Sequence, residues 1–390
     1  MRLKLVRYEP ARIADWTASL SAVAASAKPR KWTAEEAAFI RNEQILCQLD
    51  WGHWAANYCS IMLGGINQSG LGKLELWESQ RMLMRLVCEC ERTSFDAAER
   101  KEPADGILIA YHKARQLGAT AICRSFLVHR ISLWKSIAGF SASVDDDKIL
   151  ELYDRDKRIY DNLPFFLKPS LDSRDGSIDQ QAMYLKFGRL DSGILYQTDA
   201  QKSGLGQGRK FDVSHITEAA SFEAFGALTH DFFPGMPQGM HVLCVAESTA
   251  QGRGNPWHVW TEAIRKRKVV RWRYIFVPVY VNSARNRRTP PADWVAAVHT
   301  LAQAAKIEAT SAEYMGRVFV PEKDFLYWWE TTRNEYAEMG KLNQFYTNFP
   351  STVEESFQFV TGGAFHPELL ERIGMDVVEP VSYEFERSVH

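Results

Sequence analysis

The sequence predicts an α/β fold, a sheet covered by helices on both faces. Apolar runs of strand length recur after residue 106, as in "GILIAYH", "MHVLCVAEST" and "RWRYIFVPVYV". Segments of helical character stand between some of them, as in "ATAICRSFLVHRISLWKSI" and "DDDKILELYDRDKRIYDNL". Strands joined by crossover helices build a sheet buried on both sides, and such strands are apolar along their length.

Taken in order, residues 1 to about 100 read mostly as helix. "TAEEAAFIRNEQILCQ" opens with Thr33 and has Glu36 three positions on, a capping-box pattern. "LELWESQRMLMRLVCECERTS" places Leu76, Gln80, Leu83, Met84 and Val87 on neighbouring faces of one helix. Pro103 and Gly106 break that pattern. A buried strand at 106–112 and a helix over 119–137 follow. A second helix is exposed on one side and stopped by Pro164. "AMYLKFGR" and "SGILYQTD" read as paired strands around Asp191-Ser192-Gly193, "KFDVSHIT" as a short strand, and "QKSGLGQGRKF" as a mobile surface loop. "RTPPADW" breaks the chain before "FLYWWETTRNEYAEMG", a helix with an aromatic stripe. That stripe, with Tyr336 and Phe345, suits a core better than base stacking. Three regions result: helical 1–100, an α/β core at 101–285, and a small subdomain at 286–390.

Bulk properties narrow the class. A chain of 390 residues with 46% hydrophobic content can bury a large core. A net charge of -1 excludes a globally basic nucleic-acid binder, though not a local patch. No apolar run approaches the roughly 18 residues of a membrane span, so no membrane partner is expected. "MRLKLVRYEPARIADW" lacks a signal-peptide apolar core. The cysteines at 47, 59, 88, 90, 123 and 244 are scattered with no CxxC pair, which points to reduced thiols.

Three stretches carry chemistry. In "ILIAYHKARQLGATAICRSF" an apolar run meets a short turn with Gly118, then Thr120 and a helix. A phosphate cradle needs backbone N–H groups at a helix N-terminus, a close-approaching glycine, a cation and a metal-binding hydroxyl. Ala119 stands where such a loop usually has its lysine, but Lys113 and Arg115 lie just upstream. In isolation the stretch also suits ordinary α/β architecture. In "FDVSHITEAASF" the strand ends at Glu218, placed to orient or deprotonate a water, or simply to be solvated. Thr217 stands where a neighbouring metal-binding aspartate would be. "VLCVAESTAQGRGNPWH" runs a buried strand into Glu247, Ser248 and Thr249, which suit either γ-phosphate sensing or strand capping.

In that order and spacing, the three stretches resemble the ATPase domain of the large terminase subunit of tailed bacteriophages. "HKARQLGAT" resembles its deviant Walker A, "HITEAASF" its Walker B, "ESTAQGRGNPWH" its coupling motif, and "FYTNFPSTVEESFQFVTGGAFHPE" the segment closing the domain. Gln80 stands where the family's adenine-contacting glutamine precedes the Walker A strand. The resemblance covers roughly residues 40 to 375. It implies a RecA/ASCE-type P-loop NTPase core with a mostly parallel sheet, a helical N-terminal region and a small C-terminal lid. It implies ATP and Mg²⁺ as cofactors, held by Gln80, Lys113, Arg115, Gln116, Gly118, Ala119 and Thr120, with Thr120 the metal ligand. Glu218 becomes the catalytic carboxylate, Lys113 and Arg115 the phosphate cations, and Glu247, Ser248 and Thr249 the coupling residues. Arg209, in Gln207-Gly208-Arg209 rather than the family's Arg-Gly order, becomes a finger toward a neighbouring subunit. The implied partners are double-stranded DNA, a portal protein, a small terminase subunit and further copies in a ring, with a monomer in isolation. The implied location is the host cytoplasm, docked on a procapsid.

Family members carry a C-terminal nuclease with clustered metal-binding aspartates. The stretch after Phe365 is too short for one, so no metal-dependent DNA cleavage by this chain is expected. "RKRKVVRWR" and "ARNRR" concentrate positive charge, as a DNA-backbone track or a solvated strand edge would. Two other readings remain. A helicase-like translocase would need a second RecA-like domain, and too few residues follow the core. An inactive ATPase-fold scaffold, favoured by Ala119 and Thr217, would bind no nucleotide.

Overall fold

The computed structural model describes residues 5–26, 30–63, 70–172, 178–179, 182–199, 205–206, 209–223 and 225–358. Helices α1 (Pro10–Ala24), α2 (Ala34–Leu49) and α3 (Trp51–Tyr58) precede a hairpin of β1 (Ser60–Leu63) and β2 (Gly70–Lys73). Then come α4 (Glu78–Glu99), β3 (Ile107–Lys113), α5 (Ala119–Leu133), β4 (Ala138–Ser143) and α6 (Asp146–Asp161). Strands β5 (Ile178–Asp179), β6 (Ala182–Phe187), β7 (Ser192–Thr198) and β8 (Val213–Thr217) lead to the short α7 (Phe225–Ala227). Next are β9 (Leu243–Ser248), α8 (Pro256–Arg265) and β10 (Trp272–Val277), and the chain continues through α9 (Val298–Met315), α10 (Lys323–Glu338), α11 (Leu342–Asn348) and α12 (Val353–Ser356).

One eight-stranded sheet, ordered β10-β3-β9-β8-β4-β7-β6-β5, carries the fold. The six strands from β10 to β7 run parallel, and β6 and β5 add an antiparallel edge. The mostly parallel α/β sheet is the one expected. A single strand, β9, separates β3 from β8. Each strand face meets its own apolar cluster. Ile107, Ile109 and Tyr111 join one with Ile122, Phe126 and Val245, whereas Leu108 and Ala110 join the other with Phe140, Ala246 and Trp257.

Helix α5 is buried along almost all of its length because the N-terminal helices cover it. His129 Nε2 donates to the Cys47 carbonyl at 2.7 Å, Gln48 Nε2 to the Leu133 carbonyl at 3.0 Å, and the Trp51 and Phe126 rings lie 4.3 Å apart. The capping box of α2 forms as its sequence predicts, with Thr33 Oγ1 accepting from the Glu36 amide and Glu36 Oε2 from the Thr33 amide. The aromatic stripe of α10 is core: Phe325 and Trp329 are buried, and Trp329 and Tyr336 both pack on Phe345. All six cysteines are free thiols. Among the described residues no helix is long and apolar enough to cross a membrane.

The architecture adds elements that the sequence reading did not name, helices α8 and α9 among them, and two further differences concern the strands. Helix α5 stops at Leu133, and "AGFSAS" beyond it forms the central strand β4 between β8 and β7. A Cβ on Gly139 would lie 2.9 Å from the Gly193 carbonyl oxygen, so position 139 requires glycine, and the strand has no β-branched residue to mark it. The β1–β2 hairpin is the other addition. Gln207, Gly208, most of the glycine-rich loop and everything after residue 358 lie outside the described residues.

Besides His53, which pairs with Glu43, three histidines are buried among the described residues: His112 against Tyr274, His129 under α3, and His215 on β8. Burial pushes the first two down to about 3, and also lowers the third. The unfolded chain protonates these imidazoles near pH 6.5, whereas the native fold refuses the proton until far lower. Stability therefore falls as pH drops below about 6.5, by up to about 1.4 kcal/mol per pH unit for each histidine. Thermal unfolding should show a melting temperature that declines steadily from pH 7 to pH 5; a flat profile there would contradict this account.

Candidate nucleotide site

The two-residue period of the strands selects which side chains meet. On β9, Leu243 and Val245 face α5, so Glu247 does too. On β8 the same step brings Val213, His215 and Thr217 to that face, and on β3 it continues from Tyr111 to Lys113. The register sets Glu247 between Tyr111 and Thr217. Glu247 is 1% exposed and gathers four partners. Its Oε1 accepts from Thr217 Oγ1 at 2.8 Å and from Thr120 Oγ1 at 3.1 Å. Lys113 Nζ lies 3.1 Å from Oε2, and His215 Nε2 lies 3.4 Å from Oε1.

Burial alone would raise the pKa of Glu247. The Lys113 charge, the nearby His215 imidazole and the hydrogen bond from Thr217 outweigh that and hold its carboxyl well below the usual carboxylate range. His215 is driven toward the neutral form by burial. Arg124 Nη1 lies 3.2 Å from His215 Nδ1, so Nδ1 accepts and Nε2 carries the proton toward Glu247. Arg124 also donates to Ser141 Oγ at 2.8 Å and forks onto Asp156, with Nε to Oδ1 at 2.8 Å and Nη2 to Oδ2. Tyr196 Oη donates to the same carboxylate at 2.5 Å. A neutral imidazole thus joins two buried ion pairs, Lys113–Glu247 and Arg124–Asp156.

The turn between β3 and α5 has the backbone of an anion nest. Gln116 and Gly118 take positive φ, 60° and 72°. A Cβ at Gly118 would lie 2.7 Å from Gln80 Nε2 and 3.1 Å from the Trp77 ring, so glycine is required by space as well as by φ. The start of α4 holds the loop. Ser79 Oγ donates to the Leu117 carbonyl at 2.7 Å, and Gln80 Nε2 to the Gly118 carbonyl at 2.8 Å. The Ala114 and Arg115 amides are taken by the carbonyls of Val277 and Asn348. Those of Gln116 through Thr120 have no acceptor among the described residues, which suits a phosphate at a helix N-terminus. Ala119 is buried at the head of α5, and the Arg115 side chain is exposed.

Glu218 follows β8 in a left-handed conformation, φ 57° and ψ 35°. A non-glycine residue there costs about 1–3 kcal/mol and aims its side chain off the strand line. Its half-exposed carboxylate makes no hydrogen bond or ion pair among the described residues. The turn after it is held from the β9 side. Ser248 Oγ accepts from the Ala220 amide at 3.1 Å, Asn255 Nδ2 donates to the Ala220 carbonyl at 3.1 Å, and Gln251 Nε2 to Ser221 Oγ at 3.0 Å. Thr249 is half-buried beside them.

No family model matches the chain. Among solved structures, it is similar to the large terminase of bacteriophage HK97, with 13% identity and a TM-score of 0.47 over 80% of this chain and 55% of that one. It is also similar to the large terminase ATPase domain of Thermus phage P74-26. That domain and a point variant of it give 12% and 13% identity and TM-scores of 0.32 and 0.34, each over 54% of this chain and 88% of that one. The chain spans about half the length of the HK97 protein.

The structure gathers Lys113, Gly118, Thr120, Glu218, Glu247 and Ser248 at the carboxyl ends of three neighbouring strands. It does not bring Arg209 to them. That residue lies ahead of β8, at the amino end of the strand, exposed and 2.9 Å from the Tyr184 hydroxyl. Gln80 is at the loop, but its amide is spent on Gly118 and on accepting from the Trp77 amide at 2.8 Å. Several charges of the two basic stretches have partners within the fold, whereas Arg267, Lys268 and Arg273 are exposed. Arg265 pairs with Glu262 and Glu354, Arg271 with three backbone carbonyls, Arg287 with Glu322 and Arg288 with Glu335. Arg285 lies over the Trp77 ring at 3.8 Å.

His215, Arg124 and Asp156 are absent from the sequence-based site. The available signal was Arg124 inside "AICRSFLV", a charge in an otherwise apolar run, which demands a buried partner. Asp156 is that partner. Arg124 is 0% exposed, so Asp156→Ala leaves a buried guanidinium uncompensated and should cost about 3–5 kcal/mol in denaturant unfolding. A loss below 1 kcal/mol would mean that the pair is not what holds α5 to α6.

Proposed function

We propose that this chain is the ATPase motor domain of a phage DNA-packaging terminase, coupling ATP hydrolysis to the translocation of double-stranded DNA into a procapsid. The observation that carries the ATPase reading is the convergence, at one sheet end, of a lysine, two hydroxyls, a buried carboxylate, and loop amides and a glutamate that have no partner among the described residues. Thr120, Thr217 and Glu247 offer hard oxygen donors, which fit Mg²⁺. When bound, the ion would neutralise phosphate oxygens as charge shifts during transfer.

In this reading the amides of Gln116 to Thr120 hold phosphate oxygens, with Lys113 and Arg115 adding charge. Gln80 keeps the loop in its binding shape. Glu218 orients a water toward the γ-phosphorus and accepts its proton as the new P–O bond forms; the bond to the β-phosphate oxygen breaks, leaving ADP and phosphate. Ser248 and Thr249 couple because Ser248 touches the turn carrying Glu218, so loss of the γ-phosphate and movement of 247–255 go together. Residues 286–390 act as a lid, supported by the Arg115–Asn348 and Val279–Pro350 backbone bonds. Arg209, remote from its own site, serves a neighbour's nucleotide in a homo-oligomeric ring on a portal protein in the host cytoplasm, with a small terminase subunit delivering DNA.

One observation favours a second reading, an inactive scaffold: Lys113 is already paired with Glu247. A melting-temperature rise on adding a Mg–ATP analogue would reject the scaffold, and no rise would reject the motor. Turnover assays with DNA and partner proteins present give the catalytic test. Glu218→Gln should lower kcat by about 10²–10⁴ while nucleotide binding persists, as for removal of a general base. Lys113→Ala should abolish turnover. Equal rates for the wild type and Glu218→Ala would sink the assignment.

A further inference from the structure

We propose that Glu247, from the strand beside β8, supplies the carboxylate that positions the divalent cation at Thr120, and that Lys113 guards it by an ion pair exchanged when cation and nucleotide bind together. This rests on the ATPase reading and adds a residue role that the sequence assigned to coupling.

The geometry points to Glu247 alone. Position 217, at the end of β8, holds a threonine and no carboxylate. Among the described residues, only Glu247 reaches the Thr120 hydroxyl, at 3.1 Å, and it reaches the Thr217 hydroxyl as well, at 2.8 Å. Thr217 therefore orients the carboxylate that it does not itself carry. Glu218, its neighbour in sequence, points elsewhere because its backbone is left-handed. The far side of Glu247 is fixed by His215, which Arg124 holds in the donating tautomer. Outer-shell partners of this kind set the orientation of a ligating group.

Charge balance gives the exchange. Glu247 is 1% exposed, and among the described residues Lys113 is its only cationic neighbour, at 3.1 Å with a side chain 15% exposed. Pulling Lys113 onto a phosphate leaves Glu247 buried and uncompensated, while directing Glu247 to a cation strands Lys113. Either half alone is strongly unfavourable. Both together restore neutrality, with Lys113 on the phosphate and Glu247 on the cation. Metal and nucleotide must then strengthen each other's binding, reciprocally.

The test is binding of a fluorescent, non-hydrolysable ATP analogue to the full chain, with and without Mg²⁺. Wild type should bind more tightly with the metal. Glu247→Gln should lose about 10- to 100-fold of the metal-dependent affinity, the usual loss on removing a group that positions a metal. Its metal-free affinity should stay the same or rise, because Lys113 is released. A purely structural lesion would lower both. Thr217→Asp in the Glu247→Gln background keeps the local charge, should fold even if the single variant does not, and should restore metal dependence. Unchanged metal dependence in Glu247→Gln, parallel loss of both affinities, or a folded double variant without metal dependence would overturn the inference and leave the ATPase reading standing. No analogue binding by wild type under either condition would overturn the ATPase reading, and the inference with it.

Discussion

The arrangement depends on one ionised carboxylate held inside a parallel sheet. An isolated buried carboxylate is among the costliest things a fold can contain, and it persists only with opposite charge and hydrogen bonds around it. Glu247 has both, drawn from β3, α5 and β8. β3 and α5 are far in sequence from β8 and β9, so the carboxylate fixes the placement of the loop strand and loop helix relative to the acidic strand. The same group that makes the site chemically capable also ties its parts together.

The strain at Glu218 belongs to this picture. A strand that continued straight would send the residue after Thr217 to the opposite face, into the apolar cluster with Ala220 and Phe222. The left-handed turn breaks the alternation and leaves the glutamate half-exposed beside the loop. Such a conformation survives only where the surroundings over-determine it. Three hydrogen bonds from Ser248, Gln251 and Asn255 supply that, and all three come from the segment that follows Glu247 on β9. The buried carboxylate and the half-exposed one are therefore mechanically connected through the segment 248–255.

Much of the fold was legible because it is local. The runs at 107–113, 243–248 and 272–277 are apolar for the reason stated, burial on both faces, and the Thr33–Glu36 cap is a four-residue pattern. The strand "AGFSAS" was not legible, because its composition answers to the Gly193 backbone across the sheet. The site divides along the same line. The loop glycine, Thr120 and the strand-end Glu218 are visible as sequence. The partner of Lys113, the role of Glu247 and the Arg124–Asp156 pair depend on register, and register between β3, β9 and β8 is set by the whole sheet. The basic stretches show the same dependence: Arg271, Arg287 and Arg288 meet carbonyls or carboxylates distant in sequence, whereas Arg267, Lys268 and Arg273 stay exposed.

The two departures that make the loop look damaged, Ala119 and Thr217, have one geometric explanation. Ala119 is buried at the head of α5, so that position has no room for a long cation. Moving the lysine to position 113 puts it at the end of β3, one step beyond His112, which pairs with Ser248. There its nearest buried neighbour is the side chain of Glu247, on the same face of the adjacent strand. A lysine there calls for a carboxylate on β9. With that carboxylate on β9, a second on β8 at 217 would crowd like charges into one buried site. A hydroxyl at 217 removes the repulsion and adds a hydrogen bond instead. Lys113 on β3, Glu247 on β9 and a hydroxyl at 217 thus balance charge within one closed space.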